Sequence, residues 1–194
     1  MNWFPPYNYI LASKSPRRRE LLKMLGIDFQ VKIKEVEEIF PDGLSKEEIP
    51  VYLVKLKAKP FLEELGDNDM LITADTIVWF NGRVLEKPKN HDEAVTMLEM
   101  LSGNEHQVIS GVCLTTTKKQ TAFYALSNVR FKTLSRAEIE YYITHFKPYD
   151  KAGAYGIQEW LGAIGITHIE GSFYNVMGLP IQRLYEEIQG FSLL

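Results

Sequence analysis

Cysteine is nearly absent. Cys113 stands alone in 194 residues, which excludes an internal disulfide and any multi-cysteine zinc site and suits a reducing compartment. Long apolar runs are missing as well: the most apolar stretch, Trp160 to Ile166, is seven residues long and holds two glycines, against the roughly 20 residues of a bilayer-spanning helix. Met1 to Tyr7 has neither the basic start nor the apolar core of a secretory signal, and Pro5-Pro6 interrupts any helix there. The expectation is a cytoplasmic protein with no membrane partner. No sign of charge dominates, since 22 Lys and Arg against 25 Asp and Glu leave a net −3, and this disfavours an extended nucleic-acid surface. The four histidines, His91, His106, His145 and His168, lack ligand spacing, and neither a Gly-x-Ser-x-Gly elbow nor a Gly-x-x-x-x-Gly-Lys loop occurs. Imidazole-bound metal and nucleophilic serine or cysteine catalysis lose support. Direct attack by water, with any metal held by oxygen ligands, is what remains.

What is present is an ordinary globular composition, 45% hydrophobic and 24% charged, at a length suited to one domain over residues 1–194. Tyr9 to Ala12 predicts a strand that stops at Ser13. Ser15 then caps a helix with Pro16 in its first position, and Gly26 ends it. Phe29 to Ile33 alternates as a strand does, Ile49 to Leu65 predicts a helix, and Met70 to Trp79 is an apolar strand interrupted by Thr73 and by Asp75-Thr76. Asn90 caps a helix reaching about Leu101. His106 to Thr117 and Thr121 to Phe131 form a strand pair, and Ser135-Arg-Ala-Glu138 is a capping box for a helix ending near Thr144. Ala163 to Glu170 predicts a strand and Pro180 to Ile188 a last helix. Crossover helices beside a hairpin imply an α/β unit with a mixed sheet.

Three segments concentrate chemistry. Ser13 to Arg19 places two hydroxyls and several cations at a helix N-terminus, where unpaired N–H groups and the dipole favour an anion. A solvated basic first turn is the plainer reading, but cations there oppose the dipole and need another reason. Asp75, inside an apolar strand, holds a carboxylate where an unpaired charge is costly; a metal, a cation or backbone N–H groups would each relieve it. Glu37-Glu38 offers a second carboxylate or a solvated loop charge. Lys87 follows the turn Asn81-Gly82, and Tyr149 to Gln158 is a glycine-rich segment with paired charges, fit to line a pocket or to staple a turn.

Together, Leu11 to Leu22, Ala74 to Val78, Glu86-Lys-Pro88, Leu101-Ser-Gly103, Tyr149 to Gln158 and Ile169 to Pro180 closely resemble the Maf family of nucleoside triphosphate pyrophosphatases. The resemblance runs from about residue 9 to residue 188. It implies an elongated mixed sheet with flanking helices and two lobes around a cleft, like the inosine triphosphate pyrophosphatases, and hydrolysis of a nucleoside triphosphate to monophosphate and pyrophosphate. By the same resemblance Ser13, Arg17 and Arg18 hold phosphates, Lys57 and Lys87 add cations, Asp75 accepts the proton of water, and Glu38 joins Asp75 at a divalent metal, Mg²⁺ or Mn²⁺. Ala-Asp-Thr with Gly-Ile-Gln is similar to the branch acting on dTTP and UTP, with modified pyrimidines such as 5-methyl-UTP, and makes Arg17, Thr76 and Gln158 the specificity residues. A 7-methyl-GTP branch and a non-enzymatic role in septum formation are the alternatives, and a homodimer follows only by analogy of fold. The sequence departs from the family pattern at Glu86, before Lys-Pro, and at Glu159-Trp160, after Gln158.

Overall fold

A computed structural model describes residues 3–191. The elements in chain order are β1 (Asn8–Leu11), α1 (Pro16–Met24), β2 (Phe29–Val31), α2 (Glu48–Ala58), β3 (Asp69–Phe80), β4 (Arg83–Leu85), α3 (His91–Leu101), β5 (Glu105–Thr115), β6 (Gln120–Phe131), α4 (Arg136–Phe146), α5 (Trp160–Gly165), β7 (Ile166–Glu170), α6 (Phe173–Met177) and α7 (Ile181–Phe191). The seven strands make one mixed sheet in the order β2-β1-β3-β5-β6-β7, with β4 added to β3. β1 runs parallel to β2 and β3, with Leu11 opposite Ile72, whereas β4 is antiparallel to β3 and β7 to β6. The mixed α/β class read from the sequence is the one found.

The chain divides into two compact units. The first takes the residues up to Asp75, Ser110–Ala125 and those from Gly178 onward; the second takes Thr76–Ile109 and Leu126–Met177. In the first, Ile10 and Leu71 from adjacent strands pack with Ala58 and Phe61. In the second, α3 and α4 bury Ala94, Leu98, Leu101, Ile139, Tyr142 and Ile143 against strand residues such as Val78, Val108 and Phe131. Each face follows from spacing, apolar residues recurring every three or four positions on helices and alternating on strands.

Local signals act where they stand. Ser15 Oγ accepts from the Arg18 N–H at the start of α1, and both halves of the Ser135–Glu138 capping box form at α4. Asn81 and Gly82, both with positive φ, turn β3 into β4. Three expectations need correction. The helix expected to run to Leu65 leaves α geometry after Ala58 and continues as a 3₁₀ segment, Lys59–Glu64, because Pro60 has no N–H to extend the ladder. Residues 163–165, expected as strand, are helical: the Ala163 N–H reaches the Glu159 carbonyl at 3.1 Å, and only Ile166 onward pairs with β6. β2 stops at Val31 rather than Ile33, and α6 was not anticipated.

Candidate functional site

β1 and β3 end side by side. Their parallel register, continued by the Ala12 N–H donating to the Ile72 carbonyl at 2.9 Å, brings Ser13 off the end of one strand beside Ala74-Asp75 on the other. Outside the carboxyl ends of parallel strands is where α/β sheets place ligands, and here the N-terminus of α1 opens at that edge. The Ser13 hydroxyl oxygen accepts from the Ser15 N–H at 3.2 Å, which leaves its proton to donate elsewhere.

Asp75 is 6% exposed. Its Oδ1 receives the Lys57 ammonium at 2.5 Å, and the same ammonium meets Glu38 Oε1 at 3.0 Å. The cation outcome foreseen for Asp75 is therefore realised, and Glu38, which by sequence could have been a solvated loop charge, is drawn to the same point. Thr73 explains how. It lies two residues before Asp75 on the same face of β3, and its hydroxyl donates to the Val54 carbonyl at 2.7 Å, fixing α2 against the strand one turn before Lys57. α2 also sits close over β5, because Gly111 has no side chain: a Cβ there would lie 2.6 Å from the Pro50 carbonyl carbon and oxygen.

Arg18 turns back from α1 so that Nε donates to the Gly178 carbonyl at 2.9 Å. Burial pulls its guanidinium below the ordinary arginine value while the Asp75 carboxylate raises it, Arg17 lowers it and Glu38 raises it. Arg18 is thus electrostatically part of the carboxylate group. Arg19, not among the residues the sequence singled out for a role, donates from Nη2 to the Ser13 carbonyl at 3.4 Å and braces the loop; nothing in a run of three arginines tells which one does this. Lys14 turns away from the helix start to pair with Glu35 at 2.7 Å in an exposed position.

Ser13, Arg17, Arg18, Glu38, Lys57 and Asp75 belong to the first unit, and Thr76, Lys87 and Gln158 to the second. Thr76 directly follows Asp75 on β3, Lys87 is exposed after β4, and Gln158 is exposed at the end of the glycine-rich segment. Among the described residues, no group of three or more His, Cys, Asp and Glu side chains is placed to hold a metal. Asp75 and Glu38, converging on one ammonium, nonetheless supply two hard oxygen donors, the number that Mg²⁺ takes from protein when substrate phosphates complete its shell.

The sequence matches the family described as Maf-like protein over residues 8–191. The chain belongs to the Maf family. Similar curated Maf relatives are dTTP/UTP pyrophosphatases of Phocaeicola vulgatus, 54% identical over 184 residues, and of Bacteroides fragilis, 51% identical over the same length, each alignment covering 94% of this chain and 95% of the relative. A third, from Parabacteroides distasonis, is 52% identical and covers 95% of this chain and 96% of its own. Among solved structures, the Staphylococcus aureus Ham1 protein aligns with a TM-score of 0.47 at 16% identity, covering 64% of this chain and 71% of that one.

Proposed function

We propose that this Maf protein hydrolyses dTTP and UTP, and modified pyrimidines such as 5-methyl-UTP, to the nucleoside monophosphate and pyrophosphate. The observation that carries the reading is the buried Asp75 carboxylate held by Lys57 together with Glu38, at the strand ends where α1 begins. The relatives' names supply the substrate class, and the family match running through both units supports residues 1–194 as one functional domain.

In the reaction water attacks the α-phosphorus, the bond to the bridging oxygen breaks, and pyrophosphate leaves. Asp75 takes the proton of that water, a general-base contribution of about 10²–10⁴ in rate. Ser13 donates its hydroxyl proton to a phosphate oxygen, the N–H groups at the start of α1 favour the anion, and Arg17 and Arg18 carry positive charge at the same helix start. Lys57 exchanges carboxylate partners for phosphate oxygens, and Lys87 adds a cation for the charge that grows on the leaving group. Asp75 and Glu38 would hold Mg²⁺ or Mn²⁺, which when bound polarises phosphate oxygens and neutralises their charge. Arg17, Thr76 and Gln158 set specificity. The Gln158 amide matches a 4-oxopyrimidine edge with one donor for O4 and one acceptor for N3–H.

The test is pyrophosphate release by wild type and Asp75→Asn with Mg²⁺ or Mn²⁺ across dTTP, UTP, CTP, GTP and 7-methyl-GTP. Turnover of dTTP and UTP that drops at least 100-fold in a folded Asp75→Asn protein supports the reading. A preference for 7-methyl-GTP overturns the substrate branch, and no turnover of any nucleotide by folded wild type overturns the enzyme in favour of a binding role in septum formation.

A further inference from the structure

Tyr142 is fully buried in α4, and its hydroxyl both accepts from and donates to one short stretch of chain. The oxygen accepts from the Gly156 N–H at 3.0 Å, and the proton goes to Glu159 Oε2. Between these contacts the backbone closes on itself, the Glu159 N–H donating to the Gly156 carbonyl at 3.0 Å, so residues 156–159 form a four-residue turn with both ends tied to one phenol. Gly156 lets the second tie form. A Cβ there would lie 2.9 Å from Glu159 Cδ, so only a bare α-carbon leaves room for the carboxylate to fold back. Lys151, 8% exposed, sits 3.1 Å from the other Glu159 oxygen and offsets its charge. Burial, then the Glu159 contact, push the Tyr142 phenol well above its ordinary range, so it stays a donor at any working pH.

The turn is also held at Ile157. A Cβ on Gly162 of α5 would fall 1.9 Å from the Ile157 carbonyl oxygen, so helix and turn meet backbone to backbone. The Ile157 side chain, 5% exposed, packs into the core of the second unit. Of the two central residues of the turn, one is therefore sunk in the core and the other, Gln158, is exposed. A glutamine gives up much rotamer freedom when it binds a base. If the backbone beneath it moved as well, the amide would meet the base edge in many positions, and fixing that backbone removes this second cost before substrate arrives.

We propose that Tyr142 is a positioning residue for base recognition: by tying Gly156 and Glu159 to one hydroxyl, it holds still the turn that presents Gln158 to the pyrimidine. The proposal rests on Gln158 as the base-reading residue. Glu159, where this chain departs from the family pattern, supplies one of the two ties.

The experiment is kcat and KM for UTP in wild type, Tyr142→Phe, Gln158→Ala and the Tyr142→Phe/Gln158→Ala double variant, at a temperature where thermal unfolding shows each to be folded. Tyr142→Phe keeps the ring in the core and removes only the hydroxyl. It is expected to raise KM about tenfold, the size of one lost hydrogen bond, with kcat within about twofold of wild type, because a contact made equally in ground and transition states acts through KM. Gln158→Ala should raise KM by at least as much, and in that background Tyr142→Phe should add about twofold or less. If Tyr142→Phe does not fold, Glu159→Ala removes one tie and takes its place with the same expectations. An unchanged KM in Tyr142→Phe, an equal rise with and without Gln158, or a fall in kcat as large as the rise in KM overturns the positioning role and leaves Gln158 as base reader. A KM in Gln158→Ala equal to that of wild type overturns the base reading and the proposal with it.

Discussion

At the scale of single residues, the Lys57 side chain is 16% exposed and that of Asp75 9%, so each ion depends on the other. Removing one partner of such a pair leaves an uncompensated charge, at about 3 kcal/mol or more. Lys57→Met should therefore destabilise the fold by about that much in urea unfolding, and adding Asp75→Asn should restore most of it; a double variant no more stable than Lys57→Met would show that the loss lies elsewhere. His106 predicts a pH effect. Burial pulls its imidazole from 6.5 down to about 4, with Nε2 2.7 Å from the Tyr155 hydroxyl and, among the described residues, no hydrogen-bond partner for Nδ1. The unfolded chain binds a proton below pH 6.5 that the folded chain refuses until about pH 4, so stability present at neutral pH is lost as pH falls through that window. The loss from this group is about 3 kcal/mol. Urea midpoints at pH 7 and pH 4 should converge in His106→Phe relative to wild type; the same pH dependence in both excludes His106 as the source.

Elements set where those residues stand. α2 delivers Lys57 only because β5 offers the bare backbone of Gly111 beneath Pro50, so Gly111→Ala must push helix and strand apart. Overpacking of this kind costs about 1–3 kcal/mol, and the displaced Lys57 should reduce kcat more than its stability loss alone explains; wild-type kcat with wild-type Tm would contradict the packing argument. At α4, Ser135→Ala removes one half of the capping box and should cost about 1 kcal/mol without changing turnover. Elements of this kind were legible in advance, since a cap, a turn dipeptide or an apolar period is a local signal. Residues 163–165 were not, because their alternation fits a strand and only the Ala163–Glu159 hydrogen bond decides for helix. Thr73 was visible as a break in an apolar run, yet its Val54 partner lies 19 residues earlier and cannot be seen without the fold.

For the molecule as a whole, the two carboxylates facing one ammonium predict a metal that arrives with its nucleotide. Chelation should abolish turnover and Mg²⁺ or Mn²⁺ restore it, while either ion alone should raise Tm less than the ion with UTP, as linkage requires when the ligands complete each other's shell. Equal shifts with and without nucleotide would instead indicate a metal site made by protein alone. Asp75 and the helix-start arginines stood out in the sequence as a carboxylate in an apolar strand and cations at a helix start, and Lys57 only through the family resemblance. The structural role of Arg18 did not, because its acceptor, the Gly178 carbonyl, lies 160 residues further along. That bond also bears on the order of synthesis. The first unit is assembled from three stretches of chain, the last beginning at Gly178, so a ribosome must have passed residue 178 before α1 can receive this anchor. Until then the nascent chain carries the Arg18 guanidinium without that partner, and a message broken shortly before codon 178 encodes a polypeptide that cannot complete its first unit.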